Sequence, residues 1–308
     1  MLPRISIITP TYNRREALLR AIDSVRSQSV GVHEHIIADD GSTDGTEAAV
    51  RALGDSRIVY HRLPERSGAN AARNAAIALA RAPLTTLLDS DDLYLPHRIE
   101  TTLAIFEGDP ETTVSISSFR TEGAGREIVN VNPAGFLAPA DLELAVMAQV
   151  IYMAGTSLTM RTEALRAVGG FDASLPRYQD GDLLLRLARS HGARLSGTID
   201  WVKTISGDAI TALQPAVPAY AALYRSNPGY PERFPEIFRY MIARAVLADL
   251  MRLRPDLALR SVRASRKPPL NCSIRDLICG YRSGKRERRR ARAEIRRKLA
   301  ASAARHDA

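Results

Sequence analysis

Leu84-Thr85-Thr86-Leu87-Leu88-Asp89-Ser90-Asp91-Asp92 is an apolar run that stops abruptly on acids. Five consecutive Leu and Thr residues without a helical period read as a buried strand, so the carboxylates fall where that strand ends. Upstream, Ile5-Ser6-Ile7-Ile8-Thr9 reads as a strand broken by Pro10 and Asn13, and Glu16 to Ser27 carries Leu18, Leu19, Ile22 and Val25 at helical spacing. His35-Ile36-Ile37-Ala38 is a second strand, ending in Asp39-Asp40-Gly41-Ser42, and Thr43 or Asp44 is suited to cap the helix that follows, through about Leu53. Ile58-Val59-Tyr60 and Ala69 to Ala80 repeat the strand–helix pattern. Such alternation predicts an α/β fold with a mostly parallel, Rossmann-like sheet flanked by helices. Ligands of these sheets bind beyond the carboxyl ends of the strands, where both acidic clusters lie.

From Val114 to Thr159 the pattern mixes strands with a helix around Asp141 to Gln149. Short helices follow over Thr162 to Val168, stopped by Gly169-Gly170, and over Asp182 to Ser190. Pro215, Pro218, Pro228, Pro231 and Pro235 then punctuate the chain before a helical stretch from Glu236 to Leu253. A boundary is expected near residue 212, giving a sheet domain over 1–211, a helical extension over 212–280 and a basic, partly disordered tail over 281–308. Of the net charge of +9, the segment from Tyr281 to Ala308 holds +8, so the body of the protein is nearly neutral. Cys272 and Cys279 lack the companions of a zinc site and read as reduced thiols. The N-terminus has no apolar run suited to a signal peptide, and the nearly apolar stretch from Leu144 to Gly155 is too short for a bilayer. A cytoplasmic protein is expected, touching a membrane only at its surface.

Hard cations such as Mg²⁺ or Mn²⁺ prefer oxygen ligands, often one or two carboxylates completed by phosphates and water. Asp89 and Asp91, two residues apart, present carboxylates on one side of an extended strand end, with Asp92 beside them. An isolated pair of this kind is usually a solvated turn that caps a helix. Here it terminates a strand of a ligand-binding sheet.

Four ordered blocks carry a resemblance: Ser6-Ile7-Ile8-Thr9-Pro10-Thr11-Tyr12-Asn13-Arg14, Ala38-Asp39-Asp40-Gly41-Ser42-Thr43-Asp44-Gly45-Thr46, Gly68 through Arg73-Asn74, and Leu88-Asp89-Ser90-Asp91-Asp92. A fifth runs from Arg161-Thr162-Glu163 through Gly169-Gly170-Phe171-Asp172 to Gln179-Asp180-Gly181-Asp182-Leu183. Together, over roughly residues 4–211, they resemble the family 2 glycosyltransferases. The resemblance implies a GT-A fold, a nucleotide-diphospho-sugar donor, inversion at the anomeric carbon, and a saccharide or lipid-linked saccharide acceptor. Bacterial polysaccharide, lipopolysaccharide or glycolipid assembly is the expected setting.

The resemblance also implies roles. Asp40, with Asp39 beside it, would accept a hydrogen bond from the nucleobase, and Thr9, Pro10 and Tyr12 would lie beside the base. Arg73 would hold the nucleotide, Asp89 would contact the ribose or a metal-bound water, and Asp91 would ligate Mg²⁺ or Mn²⁺. Asp180 would be the base that deprotonates the acceptor hydroxyl, at the start of a helix whose dipole favours its ionised form. Gln179 departs from the usual Glu, and Ser206 stands where a metal-ligating histidine is common. Arg73-Asn74 also reads as helix capping and surface charge. Two other functions share parts of this pattern, a sugar-phosphate nucleotidyltransferase and a non-catalytic nucleotide-sugar binder. The first usually shows a glycine-rich N-terminal phosphate loop, which Ile8-Thr9-Pro10-Thr11-Tyr12-Asn13 is not; the second would lack Asp91 or Asp180. The tail has no interleaved aromatics, so no nucleic-acid partner is expected. It would attract anionic lipid at roughly 1 kcal/mol per basic residue near the surface.

Overall fold

The computed structural model describes residues 4–123, 125–205, 216–251, 254–268 and 270–304. Strand β1 (Ile5–Thr11) is buried along its whole length and pairs in parallel with β2 (Glu34–Asp39) on one side and β4 (Leu84–Leu87) on the other. β3 (Ile58–Arg62) extends the parallel half beyond β2. A strand covered on both faces reads as an unbroken apolar run, and Ile5, Ile7, Ile8, Ile36, Ile37 and Leu87 are accordingly core residues. β1 runs two residues past the break expected at Pro10. Ile8 gives its carbonyl to the N–H of Leu88, which follows β4, at 2.9 Å, so the nitrogen of Pro10 faces the same side, where the β4 pairing has already ended. A proline costs no ladder bond there.

Helices α1 (Arg15–Arg26), α2 (Thr46–Ala52) and α3 (Ala69–Leu79) make the crossovers. The order β3-β2-β1-β4 reverses the direction of strand addition at β1, so a crevice opens at the carboxyl ends of β1 and β4. The sheet continues through β9 (Leu158–Arg161), β6 (Val114–Gly123), β10 (Ala193–Thr204) and β5 (Leu93–Tyr94). β9 is antiparallel to both neighbours and β10 is parallel to β6, so the far half is mixed. β7 (Arg126–Asn130) and β8 (Gly135–Leu137) pair at the margins of β6 and β10. Helices α4 (Arg98–Gly108), α5 (Pro139–Met147), α6 (Thr162–Ala167) and α7 (Gln179–Leu187) complete this half.

One buried ion pair locks α4 under the site. The Arg98 guanidinium meets Asp200 of β10 at 2.9 Å, both side chains 1% exposed, and donates to the Thr156 carbonyl at 3.2 Å. Arg98→Ala would leave Asp200 charged and unpaired in the interior, and is expected to cost about 3–5 kcal/mol in urea unfolding.

The C-terminal region contains α8 (Ala216–Ser226), α9 (Tyr230–Arg233), α10 (Pro235–Met251), α11 (Pro255–Ser265) and α12 (Ile274–Ala304). The boundary expected near 212 lies outside the described residues. The stretch from 281, expected as a partly disordered tail, is through Ala304 the second part of the 31-residue α12. The reason is a narrow buried stripe, Gly280, Gly284, Ala291, Ile295 and Leu299, beneath the arginines. Side chains at 280 or 284 would collide with Arg239, Tyr240 and the Glu236 carbonyl of α10, so glycine permits the close helix crossing. Lys298 pairs with Asp141 of α5, and the Phe136 N–H of β8 donates to Ser302 at 3.0 Å. Of the two cysteines, Cys272 is buried and Cys279 exposed, both unbridged. No helix among the described residues is long and apolar enough to cross a membrane.

Candidate active site

The loops after β1, β2 and β4 form the crevice. Asn13, in a left-handed conformation (φ 49°), donates its N–H to Ser42 and accepts the Thr43 N–H at 2.7 Å, tying the first loop to the second. Asp44 joins the starts of two helices, accepting the Arg15 N–H of α1 at 3.0 Å and the Thr46 N–H of α2 at 3.2 Å. Asp39 is fully buried. Its Oδ1 accepts from the Ser42 N–H and hydroxyl, and its Oδ2 from Tyr60 and Arg62. A carboxylate has about four acceptor sites. All those of Asp39 are spent on shaping the turn, so it positions its neighbour instead of facing a ligand. Asp40 accepts the N–H groups of Ser67 at 2.6 Å and Gly68 at 2.9–3.0 Å, which leaves one acceptor position on Oδ2.

The side chain of Thr9 points inward, where its hydroxyl meets the His35 ring at 2.9 Å, so only its backbone borders the crevice. Burial, with Arg57 adding to it against the pull of Asp55, drives the His35 pKa down to about 3. The unfolded chain therefore binds the extra proton between about pH 3 and 6.5. Stability present above pH 6.5 is lost as pH falls through that window. His35→Gln is expected to flatten this acid limb by a few kcal/mol, read from urea midpoints at pH 4 and pH 7. Pro10 is buried in β1, and Tyr12 lies at the rim with the Arg66 guanidinium 4.2 Å over its ring.

Arg73 is an interior cation, 4% exposed, which removes the surface-charge reading. It donates to Asp89 at 2.6 Å and to Asn70 at 3.1 Å, and lies 5.2 Å over the Phe171 ring. Asn70 and Asn74 stitch α3 to the loop after α6, through the carbonyls of Asp172 and Leu175 and both backbone groups of Phe171. Burial opposes ionisation of Asp89, but Arg73, with Lys203 and Arg14, outweighs it and holds the carboxyl below its usual range. Asp92 has the opposite fate: burial, then the neighbouring Asp89, raises it to about 8. It accepts the Thr156 hydroxyl at 2.6 Å.

Asp91 is turned to Arg14 at 2.5 Å and borders a depression of about 360 Å³ with Asn13 and Asp44. Asp180, the second residue of α7, lines a separate cavity of about 660 Å³ together with Ser67 and Gly68, the partners of Asp40. Its Oδ1 is buried against Gly155, where a Cβ would sit 3.3 Å away. Burial raises its pKa, against the pull of Arg73 and Lys203. Lys203, near the end of β10, feels Asp92, Asp89, Asp180 and Asp91, whose combined charge overcomes its own burial and raises its pKa. The acids of the β4 end and of α7 thus share one electrostatic environment with Arg73 and Lys203.

For a divalent ion the chain offers little by itself. Among the described residues no group of three or more His, Cys, Asp or Glu side chains could hold a metal. Asp89 is held by Arg73, which leaves Asp91 as the carboxylate best able to turn to an ion, once Arg14 moves aside. That set fits Mg²⁺ or Mn²⁺ only if a diphosphate and water supply the other oxygens, an arrangement common for Mg²⁺. Ser206 lies outside the described residues. Arg14, Lys203 and Thr156 were not anticipated from sequence; a lysine in the buried stretch Trp201-Val202-Lys203 was the available signal.

Residues 6–169 match glycosyl transferase family 2. The putative colanic acid biosynthesis glycosyl transferase WcaA of Escherichia coli is 44% identical over 104 residues, covering 33% of this chain and 37% of WcaA. The first curated relatives are matched over 28–40% of their own length. Staphylococcus aureus TarS 1-349 in complex with UDP-GlcNAc aligns with a TM-score of 0.61 at 15% identity, over 93% of this chain and 92% of that one. Mannosyltransferase PcManGT from Pyrobaculum calidifontis, in complex with GDP-Man and Mn²⁺, gives 0.60 at 18% identity, over 99% and 87%. These likenesses establish the fold, which is GT-A.

Proposed function

The chain belongs to glycosyl transferase family 2, and on that premise we propose that it moves a sugar from a nucleotide-diphospho-sugar to a hydroxyl of a saccharide or lipid-linked saccharide, inverting the anomeric carbon. Bacterial polysaccharide, lipopolysaccharide or glycolipid assembly is the setting, as for the relatives whose names carry such roles. The observation that supports the reading most is that Asp89, Asp91 and Asp180, although Asp91 and Asp180 border different depressions, share the field of Arg73 and Lys203.

In this reading the remaining acceptor position of Asp40 takes an N–H of uracil, thymine or guanine, which a carboxylate suits. Tyr12 and the Thr9-Pro10 backbone flank the base, with Asp39 fixing the turn. Arg73 holds Asp89 at the ribose. Asp91 turns from Arg14 to a divalent ion, which when bound neutralises the leaving diphosphate as a Lewis acid. Lys203 adds fixed positive charge on the same side. Asp180 takes the proton from the acceptor hydroxyl on the opposite face of the sugar, so attack and departure lie in line and the configuration inverts. Its raised pKa makes it a stronger base, and the N-terminus of α7 with Arg73 and Lys203 favours the ionised form.

A thermal-shift panel of UDP-, GDP- and dTDP-sugars, with and without Mn²⁺, tests the reading. At least one donor should raise the midpoint by several degrees at a hundred times its Kd. A flat response across the panel would refute it.

A further inference from the structure

The cavity that holds Asp180 has a second end, walled by Arg244 of α10 and Arg288 of α12. Arg288 anchors its fork by donating Nε to the Ala148 carbonyl at 2.8 Å and Nη2 to the Gln149 carbonyl at 2.7 Å, so its remaining N–H groups are available. Arg292, one turn further along α12, buries an Nε without a hydrogen-bond partner. The ion pairs of α10 and α12 involve Arg239, Arg290 and Lys298, and none of the three arginines enters one among the described residues. Burial and the charges of Arg244 and Arg292 hold the Arg288 pKa down. Two guanidinium groups therefore wall this cavity, with a third one turn along α12, and among the described residues no ion pair neutralises them, an arrangement that costs free energy until an anion does.

We propose that this end of the cavity is an acceptor subsite for a phosphoryl group, phosphate or diphosphate, gripped by Arg244 and Arg288 with Arg292 behind them. A single carboxylate would be satisfied by one guanidinium fork; several forks on one side match the oxygens and charge of a phosphate or diphosphate. The inference rests on the transferase reading for its meaning: the hydroxyl offered to Asp180 then belongs to a phosphorylated saccharide. Phe119, Ile151 and Tyr152 line the same cavity and suit the faces of a sugar ring. The phosphoryl group comes either from a diphosphate bridge to a lipid or from a phosphorylated saccharide alone.

The test is calorimetric titration of the full chain with inorganic pyrophosphate and with geranyl diphosphate, without divalent ions. Arg244 is exposed and makes no hydrogen bond among the described residues, so Arg244→Glu should keep the wild-type melting temperature. It should weaken pyrophosphate by roughly tenfold or more, and Arg244→Lys by less. Tighter binding of geranyl diphosphate than of pyrophosphate assigns the lipid-linked source, and equal binding the phosphorylated saccharide. The proposal is overturned if the wild type binds neither probe, if Arg244→Glu binds pyrophosphate as the wild type does, or if Lys203→Ala alone removes binding, which would put the anion in the donor crevice. Failure of the transferase reading shows separately, as a wild type that binds pyrophosphate through Arg244 and no nucleotide-sugar.

Discussion

Asp180→Asn is expected to lower the transfer rate a hundredfold to ten-thousandfold while changing donor affinity by less than about threefold. The substitution keeps shape and removes the one oxygen pair on α7 able to take a proton from the acceptor. Asp180 packs against Gly155, whereas Asp40 is held by the Ser67 and Gly68 N–H groups, so donor binding should survive. Its pKa lies above that of an ordinary Asp because burial outweighs Arg73 and Lys203. Only the ionised form accepts a proton, so kcat/KM in the wild type should rise with pH through that raised pKa, and fall as pH drops below it. The limb should vanish from the residual activity of Asp180→Asn. Full activity in that variant would refute the assignment of the base, and an unchanged acid limb would transfer it to another group.

Asp91→Asn should remove the response to divalent ions and cost about a hundredfold or more in transfer, because a neutral amide is a poor ligand for a hard cation. Arg14 makes this prediction two-sided. Its guanidinium occupies Asp91 at 2.5 Å, with both side chains about a quarter exposed, so a metal must compete with a resident cation. Arg14→Ala should therefore half-saturate at a lower Mn²⁺ concentration than the wild type, while Asp91→Asn responds to no concentration. Titration of donor hydrolysis against Mn²⁺ separates the two. Identical curves for all three proteins would remove Asp91 from the metal assignment.

The parallel half of the sheet was legible because strands buried on both faces leave uninterrupted apolar runs, and because Asp39-Asp40 and Asp89 to Asp92 punctuate their ends. The GT-A fold followed from the ordered blocks. Side-chain direction was harder to read. Thr9 and Asp39 sit within recognisable blocks, yet both turn inward, to His35 and to the Ser42 turn, and only the packed neighbours decide that. Lys203 escaped notice because its role depends on a strand of the mixed half meeting acids more than a hundred positions earlier. Ser283 to Ala301 is helix-compatible in sequence, with Ile295 and Leu299 on one stripe, yet its basic composition points to a solvated tail. Its buried stripe is spaced at Ala291, Ile295 and Leu299, but two glycines and an alanine carry little hydrophobic signal among so many arginines.

The close crossing of α12 over α10 at Gly280 and Gly284 has a wider consequence. It seats Arg288 in the lining of a cavity whose other lining residues, Arg244 apart, lie between Ser67 and Gly181 in the chain. On the readings proposed above, the arginines that would hold the acceptor's phosphoryl group lie on α10 and α12, whose close contact depends on two residues without side chains, while the donor acids lie in the sheet half. If the phosphoryl subsite holds, exchanging residues 216–304 between relatives would alter the grip on the charged end of the recipient and leave the donor acids in place.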